Sequence, residues 1–280
     1  MKEFKRPYLR FLLVLIIAGV SSWAFSPDAE ARWRLSEMGD EFAVVAARAE
    51  GGGGSVEFMV TDPRGRKIGF DPDTGEYRVE FPGGYERPLV RSAKTGEAEL
   101  VSDPWPGAGG SEKIYTTFAE LSLVPGEYTV EVKGTGLTGY DFGVLLSGAE
   151  EGRKFHSAGV IDEDTVVEYR FTYALGPGGG EFRKVVTPEG LRRQVELFRE
   201  KGWLSPVEAK RLAAVLDDAE GAIGWSGGLG ARERLAAFVD EAGSTLDGAR
   251  AEVLIDDARR IAENLCLTRP VMVASVRLCE

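Results

Sequence analysis

The sequence predicts a multidomain α and β protein, an antiparallel β-sandwich followed by a small antiparallel four-helix module. Three observations carry this reading. Apolar residues recur at every second position up to about residue 175, glycine and proline fill 176–180, and after Pro188 the apolar spacing changes to threes and fours.

The chain opens with an export signal. Lys2, Lys5, Arg6 and Arg10 precede the apolar run 11–20, and Ser22-Trp23-Ala24 sets small residues at the −3 and −1 positions of a cleavage site. Ala29-Glu30-Ala31 offers a second one. The uncharged stretch 11–27 falls short of the roughly 20 residues of a spanning helix, which favours cleavage over an uncleaved anchor. The expected location is therefore secreted or cell-surface, with membrane contact only through the signal segment if it stays uncleaved. Residues 1–24 form the signal, and the sandwich is expected over 33–175.

Strand signals follow. Val56, Phe58 and Val60 alternate, as do Tyr128, Val130 and Val132, and Val167, Tyr169, Phe171 and Tyr173. Turn chemistry separates them at Asp62-Pro63-Arg64-Gly65, Asp71-Pro72-Asp73-Thr74-Gly75, Pro125-Gly126 and Gly134-Thr135-Gly136. Roughly eight short strands with this punctuation argue for a sandwich. The stretch 102–110 reads as a long loop.

A Gly-rich linker is expected over 176–189 and a helical domain over 190–265, with 266–280 as a tail. The helical phase is carried by Leu191, Val195 and Phe198, then Ala209, Leu212 and Leu216, then Leu235 and Phe238, then Ala251, Leu254, Ala258 and Ile261. Ser205-Pro206-Val207-Glu208 is a complete helix start, with a capping Ser, a first-turn Pro and a Glu three residues on. Asp247 takes the cap position of the last helix. The two halves repeat: Val195, Gly202, Leu204, Ala209, Leu212 and Leu216 match Val239, Gly243, Leu246, Ala251, Leu254 and Ala258.

These residues carry a resemblance. The run Leu191 to Phe198, Gly202-Trp203-Leu204, Ala231 to Val239 with its Leu-x-Ala-Phe-Val core, and Leu246 to Ala258 resembles the FIMAH domain, a small helical module of secreted bacterial proteins. The likeness covers about a quarter of the chain. It departs at the lengthened connection 224–230 and at Gly248, which weakens the start of the last helix. The resemblance implies a module appended to extracellular proteins, with no catalytic residues to carry over. Upstream, 62–75, 81–85 and 125–132 are similar to a β-sandwich module of exported bacterial proteins, which implies an accessory role.

Composition narrows the function. With 34 Lys+Arg against 45 Asp+Glu the net charge is −11, and loss of the signal leaves 30 bases against 44 acids. An acidic body without a basic run argues against nucleic acid. The single histidine, His156, removes most His-based metal sites and catalytic relays.

Two motifs match chemical signatures in sequence and fail on context. Gly224-Trp225-Ser226-Gly227-Gly228 fits G-x-S-x-G but joins two helices, whereas a nucleophile elbow links a strand to a helix. Gly134 to Gly139 fits G-x-G-x-x-G but is followed by a strand pattern instead of a phosphate-binding helix.

The remaining candidates are modest. Asp71 and Asp73, before Gly75, offer alternate carboxylates for Ca²⁺ with help from Asp162, Glu163 or Asp164, although the same residues suit a plain turn. The acidic run itself reads as a solvated turn. Trp105 and Tyr85 are candidates for an exposed aromatic platform that stacks on a glycan or an extracellular protein, set against the alternative of loop plugs. Cys266 and Cys279 are expected to pair in an oxidising compartment, at about 3 kcal/mol in the chain-entropy description. Function is accordingly expected to be non-catalytic binding or scaffolding outside the cell. The alternative is a carboxylate-dependent or calcium-assisted extracellular hydrolase, for which no pair of acids is singled out by spacing.

Overall fold

A computed structural model describes residues 42–50, 54–71, 74–92, 98–100, 113–147, 153–174, 180–225 and 229–268. Among them are two antiparallel sheets and four helices, a mixed α and β chain. The first sheet contains β1 (Phe42–Glu50), β5 (Gly83–Ser92), β6 (Ala98–Leu100), β7 (Lys113–Ser122), β9 (Thr138–Ser147) and β10 (Arg153–Ile161), in the order β10-β9-β1-β7-β5-β6. The second contains β2 (Val56–Thr61), β3 (Lys67–Asp71), β4 (Glu76–Val79), β8 (Gly126–Gly134), β11 (Val166–Tyr173) and β12 (Phe182–Lys184), in the order β12-β11-β8-β2-β3-β4. The helices are α1 (Pro188–Glu200), α2 (Pro206–Trp225), α3 (Leu229–Thr245) and α4 (Gly248–Thr268).

Alternation decides which side chains face inward. In β1, Ala43, Val45, Ala47 and Ala49 are buried, and their partners across β9 are Leu146, Val144, Phe142 and Tyr140. Small residues on the central strand make room for large ones on its neighbour, as dense packing requires. From the second sheet Phe58, Val60, Tyr128, Val130, Tyr169 and Phe171 enter the same core. The sheets are also tied by polarity: buried Thr117 of β7 donates to the Val56 carbonyl of β2 at 2.9 Å.

Local chemistry sets the turns. Tyr128 closes the corner before β8, its hydroxyl accepting from Val124 N at 2.7 Å and donating to Val124 O at 3.0 Å, while its ring stacks on Phe171 at 4.8 Å. Asp62 organises the β2–β3 hairpin by accepting from the backbone of Arg64 and Arg66 and from the Arg66 guanidinium. Pro88 lies where the β5–β7 register shifts between Glu86 and Leu89, because a proline cannot donate to the ladder.

The helices start where the side chains say. Thr187 caps α1 through a bond from Gly190 N, and Ser205 and Glu208 form the reciprocal capping box of α2, at 2.8 and 3.3 Å. Both halves of the helical repeat are buried together, from Leu204, Ala209, Leu212 and Leu216 to Leu246, Ala251, Leu254 and Ala258.

Three expectations need adjustment. Twelve strands occur among the described residues where about eight were expected, because β4, β6 and β12 are too short to carry a periodic signal. Within the stretch read as linker, Phe182–Lys184 pairs with Tyr169–Phe171. The helical core is also not made of helices alone, since Val160 of β10 and Val186 belong to it and Leu137 packs against it.

Candidate functional site

Most residues singled out by sequence fall outside what is described. Trp105, Asp73 and Cys279 lie outside the described residues, and the side chains of Tyr85, in β5, and Cys266, in α4, do too. Asp71 ends β3, its carboxylate 3.3 Å from the Arg78 guanidinium, and Thr74 N and Gly75 N turn back to its side chain and carbonyl. Among the described residues no group of three or more His, Cys, Asp or Glu is placed to hold a metal ion. Gly224 and Trp225 end α2, Ser226 to Gly228 lie outside the described residues, and the glycine-rich segment from Gly134 connects β8 to β9.

The acidic run is divided. Glu163 and Asp164 are exposed, as a solvated turn requires, but Asp162 is buried and accepts from the Thr165 hydroxyl and the Arg193 guanidinium. The solvated-turn reading therefore fails for Asp162, which faces α1. His156 is 70% exposed on β10, with Nε2 3.3 Å from Asp141 Oδ1. The Asp141 hydrogen bond raises its pKa above the usual value, against the smaller opposing effect of burial.

The structure brings other polar residues together, where α1 and α4 meet the β10 and β12 edges of the two sheets. Gln194 occupies the apolar stripe of α1 between Leu191, Val195 and Phe198. Its Nε2 donates to Val160 O at 2.7 Å and its Oε1 accepts from Val160 N at 3.2 Å. One carboxamide thus satisfies both backbone groups of an edge-strand residue, as a further strand would. Next to it Arg193 meets Asp162, and at the C-terminus of the helix Lys201 Nζ reaches Leu137 O at 3.4 Å.

Two buried contacts complete the junction. Lys184 Nζ of β12 lies 2.7 Å from Asp257 Oδ2 of α4, with side chains 5% and 3% exposed. The Tyr140 and Tyr169 hydroxyls lie 2.8 Å apart, and the Tyr169 hydroxyl donates to Ser157 Oγ at 3.1 Å. Gly159 makes this approach possible, because a Cβ there would stand 2.9 Å from the Tyr140 ring and 3.2 Å from Gln194 Oε1.

Electrostatics follow from burial. Burial pushes the Tyr140 phenol well above its usual value, and the adjacent Tyr169 pushes the same way. Burial also raises Tyr169, partly offset by the Lys184 charge and by its bonds to Ser157 and Tyr140. Both phenols therefore keep their protons near neutral pH. The Asp257 carboxyl is raised by burial, with the Lys184 charge and hydrogen bond opposing that shift. Chemically this is a closed set of donors and acceptors that answer one another.

Gln194 and Asp257 did not stand out in sequence, yet both left the same trace. Gln194 shares the phase of Leu191 and Phe198, and Asp257 that of Leu254 and Ile261, whereas β12 is too short to give Lys184 such a signal. A polar residue in the buried phase of its element needs a partner. No protein-family model, curated protein or solved structure matches this chain.

Proposed function

We propose that this is an exported, non-catalytic binding or scaffolding protein of the cell surface or extracellular space, with a β-sandwich and a FIMAH-like helical module held as one unit. The observation that carries the reading is the junction. Its chemically capable side chains, Tyr140, Tyr169, Ser157, Lys184, Asp257 and Gln194, are spent on one another and on the backbone between helices and sheets. Such use of buried polar groups fixes orientation instead of turning over a substrate. A chain so joined would present its loops in a constant arrangement, which suits recognition of an extracellular protein or glycan.

The leader supports export, since four bases, an apolar run and a small-x-small site precede an acidic body. Cell fractionation with sequencing of the mature N-terminus tests this part. Recovery outside the cytoplasm with a new N-terminus after Ala24 or Ala31 is expected, and an intact cytoplasmic chain would overturn it. A glycan and surface-protein array, run beside hydrolysis assays on polysaccharide and protein, tests the rest. Saturable binding without product is expected, and turnover of any of these substrates would establish the hydrolase reading instead.

A further inference from the structure

We propose that Lys184 and Asp257 are a self-modification site, condensing to an isopeptide bond that staples β12 to α4. This does not depend on which ligand the protein recognises. Nζ lies 2.7 Å from Oδ2, which holds the amine against the carboxyl group, and reactants held together in one site gain large effective concentrations.

The surroundings exclude bulk water from the pair. The two side chains are 5% and 3% exposed. Lys184 stands opposite Tyr169 in the β11–β12 register and on the same face as Phe182, beside a stack in which Phe142 lies 4.3 Å from Tyr169 and Phe182 lies 4.8 Å from Phe155. In water an amine and a carboxylic acid resist condensation because both are stabilised as hydrated ions. Burial leaves little of that hydration around the contact. It also raises the Asp257 carboxyl, against the lowering effect of the Lys184 and Arg260 charges and of the Lys184 hydrogen bond.

The reaction balances without any co-reactant. A proton passes from Nζ to the carboxyl along the existing contact, leaving neutral amine and acid. The nitrogen lone pair then attacks Cγ, the N–C bond forms, the C–OH bond breaks, and the departing hydroxyl leaves as water with a proton from nitrogen. No electron is gained or lost. The bond would close a loop between residues 73 positions apart, from the shortest class of strand to the last helix. Long loops are where a covalent tie removes the most freedom from the unfolded chain.

Mass spectrometry of the full-length protein after denaturation decides the matter. We expect wild type to be one water lighter than the chain counted from its sequenced N-terminus, with a branched proteolytic peptide containing both Lys184 and Asp257. Lys184→Arg and Asp257→Ala are expected at full mass, and a denatured chain reports as well as a folded one. Wild type at full mass, with the two residues in separate unmodified peptides, would mean an ion pair only and would overturn the proposal. Loss of water that persists in both variants would place the dehydration elsewhere and overturn it equally.

Discussion

The carboxamide of Gln194 stands in for a neighbouring strand at Val160, donating to its carbonyl at 2.7 Å and accepting from its N–H at 3.2 Å. Both residues are buried, so water cannot replace either bond. Gln194→Leu keeps the size and apolar phase but strands two backbone groups. A loss of about 2–4 kcal/mol is expected, from the cost of burying unpaired polar groups. Urea unfolding should show a lower midpoint at unchanged slope, with faster hydrogen exchange at Val160. Wild-type stability and unchanged exchange would contradict the strand-substitute role.

Asp62 predicts an acid dependence. Burial alone would raise its carboxyl, but the bonds from Arg66 N, the Arg66 side chain and Arg64 N, with the Arg66 charge, bring it below the usual 3.8. A carboxylate depressed in the folded state stabilises fully above its unfolded pKa, and that contribution is lost as pH falls through the folded value. The stability gap between wild type and Asp62→Asn should therefore be level near neutral pH and shrink below about 3.8, where protonation makes the two alike. A gap that stays constant through that window would exclude the assignment.

Gly126 opens β8 at φ 140°, and a Cβ there would lie 2.6 Å from the Pro63 ring. Both backbone and space reject a side chain. Gly126→Ala should cost about 1–3 kcal/mol through strain and overpacking. Thermal melting measures it, and a Tm equal to that of wild type would show that the 62–66 hairpin does not rest on this turn.

At the start of α2, Ser205→Ala removes the side-chain half of the capping box. The expected loss is about 1 kcal/mol. Because Glu208 N then lacks its acceptor, the effect should be seen in exchange at the first turn of α2 before it is seen in global unfolding. Equal protection in both proteins would argue against the cap.

Element type was largely legible because it is local. The strand at Val56, Phe58 and Val60 and the capping box at Ser205 both depend on residues a few positions apart, and both are present, although Glu57 and Met59 are buried as well, so β2 has no wet face there. The short β12 escaped notice because three residues beside a glycine run show no period. The division of the acidic run escaped as well, since the partner that sets Asp162 apart from Glu163 and Asp164 across the fold, Arg193, is thirty-one residues away.

By itself the sequence determined the two periodicities, the caps and turns, the acidic character and the leader pattern, all consequences of side-chain chemistry over short spans. Tertiary structure alone decided that β1 lies between β7 and β9, that helices cover β10, and that Lys184 meets Asp257. Those outcomes depend on which distant surfaces exclude water together. A polar residue in an apolar phase announces that it needs a partner, and only the folded chain shows which one it finds.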